Sequence, residues 1–294
     1  MRVPAWFSAA YAPAEVPLLA RLETTRALLQ RLDLVELREA DTIDPQHLRG
    51  LHDEDYLQAF LEGRAPLASR QGIRWTPRVR DASLAMLGGQ LQAAGHALEH
   101  GIAMNIARGF HHAHPAAGSG YCALNGLALL AHAMPARRIM VVDCDEHGGN
   151  GTEEFAARLP NLYAMSIFGT RFGCRGGVRS WAYHVTHEQG YAEYRRALGQ
   201  AASLVDEHRP DLLVYQAGAD CHREDPKSQL KLATDELFER DLTVFRMARE
   251  RRIPILFVVA GGYQAAERVA RLNANTVRAA RIAWTESAAG GRAG

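Results

Sequence analysis

The feature that most constrains the fold of this chain is an alternation of short apolar runs with longer stretches of helical periodicity. The runs are rich in β-branched and aliphatic residues. Some are almost continuously apolar, as in strands that are buried on both faces. They predict strands at residues 102–107, 138–144, 162–167, 212–216 and 255–260.

The stretches between these runs show the period of helices that bury one face. They predict helices at residues 17–32, 81–100, 124–133, 152–157, 191–206, 234–249 and 263–285. Strands and helices in alternation predict the α/β class, with a mostly parallel central sheet and helices on both faces. We expect a single domain over residues 1–294, in which 286–294 form a flexible tail.

The composition and charge exclude one class of function. The chain has 294 residues, of which 47% are hydrophobic and 23% charged, as is typical of a globular protein. Lys and Arg number 34 and Asp and Glu number 33. The formal net charge of +1 argues against a stable complex with nucleic acid, because such binders normally carry a strong basic excess.

Three observations bear on the compartment. The four cysteines form no C-x-x-C pair and fit a reducing cytosol better than a disulfide framework. No apolar run has the roughly 20 residues that a membrane helix needs. Residues 1–12 imitate a signal peptide only faintly, and we interpret them as a first strand and loop. We therefore expect a cytoplasmic protein that does not associate with a membrane.

Polar residues follow the predicted strands at their carboxyl ends, which is where parallel sheets bind ligands. These residues belong to the types that bind metals and transfer protons. In chain order they are His111 and His112, the run from Asp143 to His147, Asp220, and Tyr263. Their convergence on one edge of the sheet predicts a catalytic site there.

One set of these residues has the pattern of a metal site. Asp143, Asp145 and His147 alternate at period two, so on an extended segment their side chains point the same way. Asp145 and His147 can bind one ion together, and Asp220 can complete the site. Two carboxylates and one imidazole with an open position suit catalytic Zn²⁺, Fe²⁺ or Mn²⁺. The alternative is that Asp143 and Asp145 only cap a helix or form turn hydrogen bonds.

Two further groups carry complementary chemistry. One imidazole of the His111–His112 pair can remove a proton from water and return it to a leaving amine. Tyr263 can donate its hydroxyl to a developing oxyanion. The alternatives are a surface histidine run and a tyrosine that packs at a helix start, and we expect His114 to be only a neighbour. Taken together, the groups indicate metal-assisted hydrolysis of an amide.

Several motifs follow one another over most of the chain, in segments 51–57, 109–113, 120–125, 143–152, 216–220 and 260–264. Their sequences and their order resemble those of the histone deacetylase superfamily. This superfamily includes acetoin-utilisation proteins and acetylpolyamine amidohydrolases. The Gly-Phe-His-His and Gly-Gly-Tyr-Gln forms are most similar to the class IV branch and its small bacterial relatives. The resemblance implies the arginase/deacetylase fold.

The resemblance also implies a role for each matching residue. Asp145, His147 and Asp220 match the zinc ligands. The catalytic residues that it implies are His111 held by Asp143, His112 held by Asn150, and the oxyanion-stabilising Tyr263. It further implies a potassium ion on backbone oxygens of Asp143, Asp145, His147, Ser166 and Ile167.

Two segments bear on the shape of the site. Gly120 and Tyr121 match the residues that line the acyl-lysine tunnel, where the family usually has Phe in place of Tyr121. Gly148 stands where the family usually has a second histidine. This departure removes a neighbouring imidazole but no ligand.

The resemblance implies a zinc-dependent enzyme that removes an acetyl or longer acyl group from an amine, with acyl-lysine as the first expectation. The same chemistry on a small molecule such as an acetylpolyamine stays open, since an acidic rim would favour such a cation. A non-catalytic homologue and an arginase-like ureohydrolase are further alternatives. The sequence leaves the acyl length, the native metal and the oligomeric state open. The residues that could form an acidic rim are Glu153, Glu154, Glu224 and Asp225.

Overall fold

The computed structural model describes residues 1–286, and a parallel sheet of eight strands runs through its centre. The strands are β1 (Val3–Phe7), β2 (Val35–Glu39), β3 (Ile102–Asn105), β4 (Ile139–Asp143), β5 (Leu162–Phe168), β6 (Ser180–His184), β7 (Leu212–Gln216) and β8 (Ile255–Val258). They lie in the order β2-β1-β3-β8-β7-β4-β5-β6, with all neighbours parallel. Every residue of β3, β4, β7 and β8 is buried, which explains why their sequences are almost continuously apolar up to the last residue.

Helices cover both faces of this sheet. They are α1 (Pro17–Arg31), α2 (Glu54–Glu62), α3 (Pro77–His100), α4 (Gly126–Ala133), α5 (Asn150–Arg158), α6 (Gly190–His208), α7 (Thr234–Glu250) and α8 (Ala266–Glu286). One layer joins α3, α4 and α5, and the other joins α1, α8, α7 and α6. The chain moves in opposite directions along the sheet through the two layers, so right-handed crossovers place them on opposite faces. The predicted α/β architecture is therefore confirmed.

The sequence-based prediction found the central strands and missed the edges. The strands β2 and β6 lie at the two edges of the sheet and were not predicted, and neither was the short helix α2. An edge strand is partly exposed and mixes polar with apolar residues, so it forms no continuous apolar run. The predicted first strand is confirmed as β1. The predicted tail at 286–294 starts at the last residue of α8, and 287–294 lie outside the described residues.

The strand order creates a crevice at the carboxyl edge of the sheet. In the centre of the sheet, the neighbouring strands β8 and β7 lie between β3 and β4. The outer two of these four strands lead to one helical layer and the inner two lead to the other. The chain continues from β3 and β4 toward α4 and α5, and from β8 and β7 toward α8 and α7. Segments that leave adjacent strands toward opposite faces open a ligand-binding crevice between them. No helix within residues 1–286 is long and apolar enough to cross a membrane.

Candidate active site

Asp145, His147 and Asp220 come together in this crevice, with three ligand atoms that all lie within 4.8 Å of one another. His147 Nδ1 lies 3.2 Å from Asp145 Oδ1 and 3.3 Å from Asp220 Oδ2. Atoms that are each about 2.1 Å from a tetrahedral metal lie about 3.4 Å apart. The three residues therefore fit a divalent ion.

The charges of this group also fit a cation. Asp145 is 3% exposed and Asp220 is 0% exposed. Burial, together with Asp145, raises the pKa of Asp220 to about 6. Burial lowers the pKa of His147, but the close carboxylates of Asp145 and Asp220 raise that pKa to about 10. Within residues 1–286, Asp220 Oδ2 is buried with no hydrogen-bond donor in suitable geometry. A bound cation would neutralise this excess of negative charge.

An arginine on α7 holds the two loops that carry these residues. Arg240 is 1% exposed. Its Nη1 donates to the carbonyl oxygens of Cys144, at 3.0 Å, and of Gly218, at 2.8 Å. Its Nε and Nη2 bind the carboxylate of Asp241 at 2.9 and 2.8 Å. Sequence reasoning missed Arg240, because nothing in the pattern of a charged helix marks one arginine as buried.

The two predicted histidines lie side by side, with ring centroids 3.8 Å apart. His111 Nδ1 donates to Asp143 Oδ2 at 2.7 Å, and His112 Nδ1 donates to Asn150 Oδ1 at 2.7 Å. Burial lowers the pKa of His111, but Asp143 and Asp145 outweigh it and raise that pKa. Burial and then His111 hold the pKa of His112 well below its ordinary value. His112 is therefore neutral near pH 7.

His114 does more than flank the pair. Asn150 Nδ2 donates to His114 Nε2 at 3.1 Å, and His114 Nδ1 donates to Glu154 Oε2 at 2.7 Å. A continuous chain of hydrogen bonds thus runs from Glu154 through His114 and Asn150 to His112. The sequence offered one signal for it, since Glu154 lies one helical turn after Asn150 on α5.

Two buried polar side chains hold the segment that carries the histidines. His52 Nδ1 donates to the carbonyl oxygen of His114 at 3.0 Å, and His52 Nε2 accepts the backbone N–H of Asn125 at 3.1 Å. Asn125 Nδ2 donates to the carbonyl oxygen of Ala113 at 3.0 Å. These contacts explain physically why the motifs around His52 and Asn125 accompany the histidine motif.

Three aromatic rings surround the histidines. The ring of Tyr263 lies 6.2 Å from that of His147 and 6.3 Å from that of Tyr121. The ring of Phe172 lies 4.1 Å from that of His112. Burial raises the pKa of Tyr263, so its hydroxyl stays protonated and can donate. Sequence reasoning missed Phe172, which is 41% exposed on a loop.

Two glycines allow close approaches around the site. Gly120 has a φ of +49°, and a Cβ there would lie 2.4 Å from Cδ2 of His112. A Cβ on Gly148 would lie 2.4 Å from Cβ of Cys174 and 2.8 Å from the carbonyl oxygen of Arg171. Cys174 and its loop therefore fill the space where the resemblance leads one to expect a histidine.

The residues of the predicted potassium site lie on two neighbouring strands, β4 and β5, and in the loop that follows β4. Asp143 on β4 is paired in register with Ser166 on β5. Ser166 Oγ accepts the backbone N–H of Gly149 at 3.2 Å. Ile167 is completely buried. The potassium ion itself stays a prediction.

Comparison with known proteins identifies the family. The histone deacetylase domain profile matches residues 14–280. The chain belongs to the histone deacetylase family. An uncharacterised protein of Picosynechococcus sp. is 32% identical over 75% of this chain and 76% of its own length. Histone deacetylase 2 of Arabidopsis thaliana is 31% identical over 80% of this chain, and the match spans 64% of the plant protein.

A solved structure shares the fold of this histone deacetylase family member. The acetylpolyamine aminohydrolase of Burkholderia pseudomallei has a TM-score of 0.79 at 19% identity, over 95% of this chain and 98% of that one. The expected membership of the histone deacetylase superfamily and the expected arginase/deacetylase fold are confirmed. All residues of the candidate site lie within the part of the chain that the family profile matches.

Proposed function

We propose that this member of the histone deacetylase family is a metal-dependent amidohydrolase that removes an acyl group from acyl-lysine. The observation that carries the proposal is the position of His112. Its ring centroid lies 6.0 Å from that of His147, while Asn150 engages its Nδ1. A neutral imidazole with its Nε2 lone pair free thus lies beside the candidate metal ligands.

Asp145, His147 and Asp220 would hold the ion, and Zn²⁺ or Fe²⁺ suits two carboxylates and one imidazole. When bound, such an ion supplies Lewis-acid chemistry for an acyl carbonyl and a water molecule. The proposal also includes a potassium ion at a second site. Its ligands would be backbone oxygens of Asp143, Asp145, His147, Ser166 and Ile167.

The protein's own residues move the protons. His112 Nε2 accepts a proton from the attacking water and returns it to the amine as the amide bond breaks, a role worth roughly 10²–10⁴-fold in rate. Burial lowers the pKa of His111, but Asp143 raises it and so favours the charged form of this ring beside the reacting carbonyl. Tyr263 donates its hydroxyl to the oxyanion of the tetrahedral intermediate.

We call the group formed by the rings of Tyr121, Phe172 and Tyr263 the mouth of the site, and its aromatic character supports an acyl-lysine substrate. Phe172 lies against His112 on one side, and Tyr121 lies near Tyr263 on another. Aromatic walls of this kind fit the apolar methylene stem of a lysine side chain. Gly120 leaves the space next to His112 that a side chain would close.

A substrate panel tests the proposal. Acetyl-lysine peptides, longer acyl-lysine peptides and acetylpolyamines are incubated with metal-stripped protein and with protein reloaded with Zn²⁺ or Fe²⁺. We expect turnover only after reloading.

The substitution His112→Ala is expected to lower kcat by roughly 10²-fold or more while the metal content stays unchanged. The matched control is His100→Ala, at the exposed end of α3. If no acylated amine is hydrolysed with any metal, the proposed function is wrong.

A further inference from the structure

The acidic residues that could attract a cationic substrate to this mouth are engaged elsewhere. Glu153 accepts backbone N–H groups of the loop after β5, at 2.7 to 3.2 Å. Glu154 binds His114, and Glu224 pairs with Arg268. These carboxylates hold loops and helices together, so the acidic rim that would favour a polyamine is not formed by them.

A cation lies at the mouth instead. Lys227 Nζ lies 4.7 Å from the centroid of the Tyr263 ring and 5.0 Å from that of the Tyr121 ring. The ammonium group therefore contacts two of the aromatic rings that the proposed function assigns to the site. Ammonium groups bind to aromatic faces at such distances through the ring quadrupole.

The backbone at Lys227 is fixed relative to Tyr263. Asp225, the fourth of the acidic residues, is completely buried. Its Oδ1 accepts the backbone N–H of Lys227 at 2.9 Å, and its Oδ2 accepts that of Tyr263 at 2.6 Å. One carboxylate thus ties both residues to each other. A substitution of the Lys227 side chain leaves these backbone contacts in place.

We infer that Lys227 selects substrates by charge, favouring an acyl-lysine flanked by acidic residues over an acetylpolyamine. This inference rests on the proposed function. The ammonium group lies beside the two tyrosine rings, so charged groups that flank a bound acylated amine would come within the Debye length of roughly 8 Å from it. It attracts carboxylates there and repels the remaining ammonium groups of a polyamine.

The test compares two acetyl-lysine peptides that differ only in having Asp or Lys on both sides, together with N8-acetylspermidine. We expect the reloaded wild-type enzyme to favour the Asp peptide over the Lys peptide by roughly three- to fivefold in kcat/KM at low salt, mainly through KM. We expect kcat/KM for N8-acetylspermidine to be lower than kcat/KM for the Asp peptide as well. The substitution Lys227→Gln should remove the preference and Lys227→Glu should invert it. Raising the ionic strength should reduce it.

The control is Arg31→Glu, which makes the same change in charge at the last turn of α1, on the opposite edge of the sheet. This variant should keep the wild-type ratio of kcat/KM for the Asp peptide to kcat/KM for the Lys peptide. Identical ratios in the wild type, Lys227→Gln and Lys227→Glu would overturn the role of Lys227 while leaving the proposed function intact. A wild-type preference for acetylspermidine would also overturn it. Loss of all turnover in the wild type would instead contradict the proposed function.

Discussion

Asn150 lies between two imidazoles, and its orientation decides which nitrogen of His112 is free. Glu154 accepts the proton of His114 Nδ1, and in a neutral imidazole the other nitrogen, Nε2, is then an acceptor. Only the amide nitrogen of Asn150 can donate to it, which turns the amide oxygen toward His112 Nδ1. The proton of His112 is then on Nδ1, and Nε2 is available as a base.

We predict that His114→Ala lowers kcat by roughly 3- to 10-fold, because one net hydrogen bond is worth about 0.5–1.5 kcal/mol. KM and metal content should not change, since His114 contacts neither the candidate ligands nor the mouth. Steady-state kinetics of the reloaded enzyme measure this. Arg158→Ala is the control, because it removes a different partner of Glu154 at 3.1 Å. A wild-type kcat in His114→Ala would mean that Asn150 is oriented without His114.

A second prediction at this scale concerns pH. His52 is 2% exposed, and burial lowers its pKa to about 4, against an ordinary value of 6.5. Between these two values the unfolded chain binds more protons than the folded one, so the free energy of unfolding falls as pH falls. Over the pH interval between the two pKa values of His52, the free energy of unfolding falls by about 3 kcal/mol.

Urea unfolding of the wild type and of His52→Gln at pH 7.5 and 4.5 tests this pH dependence. Other groups titrate in both proteins, so the difference between the two proteins isolates His52. We expect the wild-type advantage in the free energy of unfolding to shrink by about 2–3 kcal/mol at the lower pH. A difference that stays constant with pH would contradict a buried neutral His52.

Among the elements, α7 holds the candidate ligand segments in place, a role that its sequence does not indicate. Arg240 on this helix binds carbonyl groups that precede both candidate ligand segments, so α7 sets their separation. We predict that Arg240→Met destabilises the protein by about 3–5 kcal/mol, because the buried Asp241 carboxylate loses its cationic partner and keeps only the hydroxyl groups of Tyr215 and Thr276. Metal affinity should fall by roughly 10- to 100-fold.

Urea unfolding and chelator competition for Zn²⁺ measure the two effects. Arg240→Lys keeps the charge but lacks the planar fork that reaches both carbonyl groups and Asp241, so its metal affinity should stay low. Arg195→Lys on the exposed side of α6 is the matched control and should behave like the wild type. Wild-type metal affinity in Arg240→Lys would show that charge alone holds the loops.

For the whole molecule, the candidate metal site couples binding to stability. An ion that binds only the folded chain stabilises it by about 2.7 kcal/mol at a concentration of 100 times Kd. For a chain of this size we expect Zn²⁺ to raise Tm by about 5–10 °C relative to protein in EDTA. Differential scanning calorimetry measures the shift.

The variant Asp220→Asn tests whether Asp220 is a metal ligand or only lies near the metal site. In EDTA it should be at least as stable as the wild type, because it removes one of two buried carboxylates that repel each other. It should no longer respond to Zn²⁺. A wild-type rise in Tm with Zn²⁺ would exclude Asp220 as a ligand.

The sequence by itself determined the α/β class and the central strands, because strands buried on both faces must be continuously apolar. It also identified the polar residues that follow those strands, since the carboxyl ends of parallel strands share one edge. Only the tertiary structure decided which residues from other elements reach that edge. The order β3-β8-β7-β4 brings together segments that are far apart in the chain, and no local pattern encodes such contacts. Only the structure shows that Phe172, Lys227 and Arg240 reach this edge. It also shows that His114 is linked to His112 through Asn150.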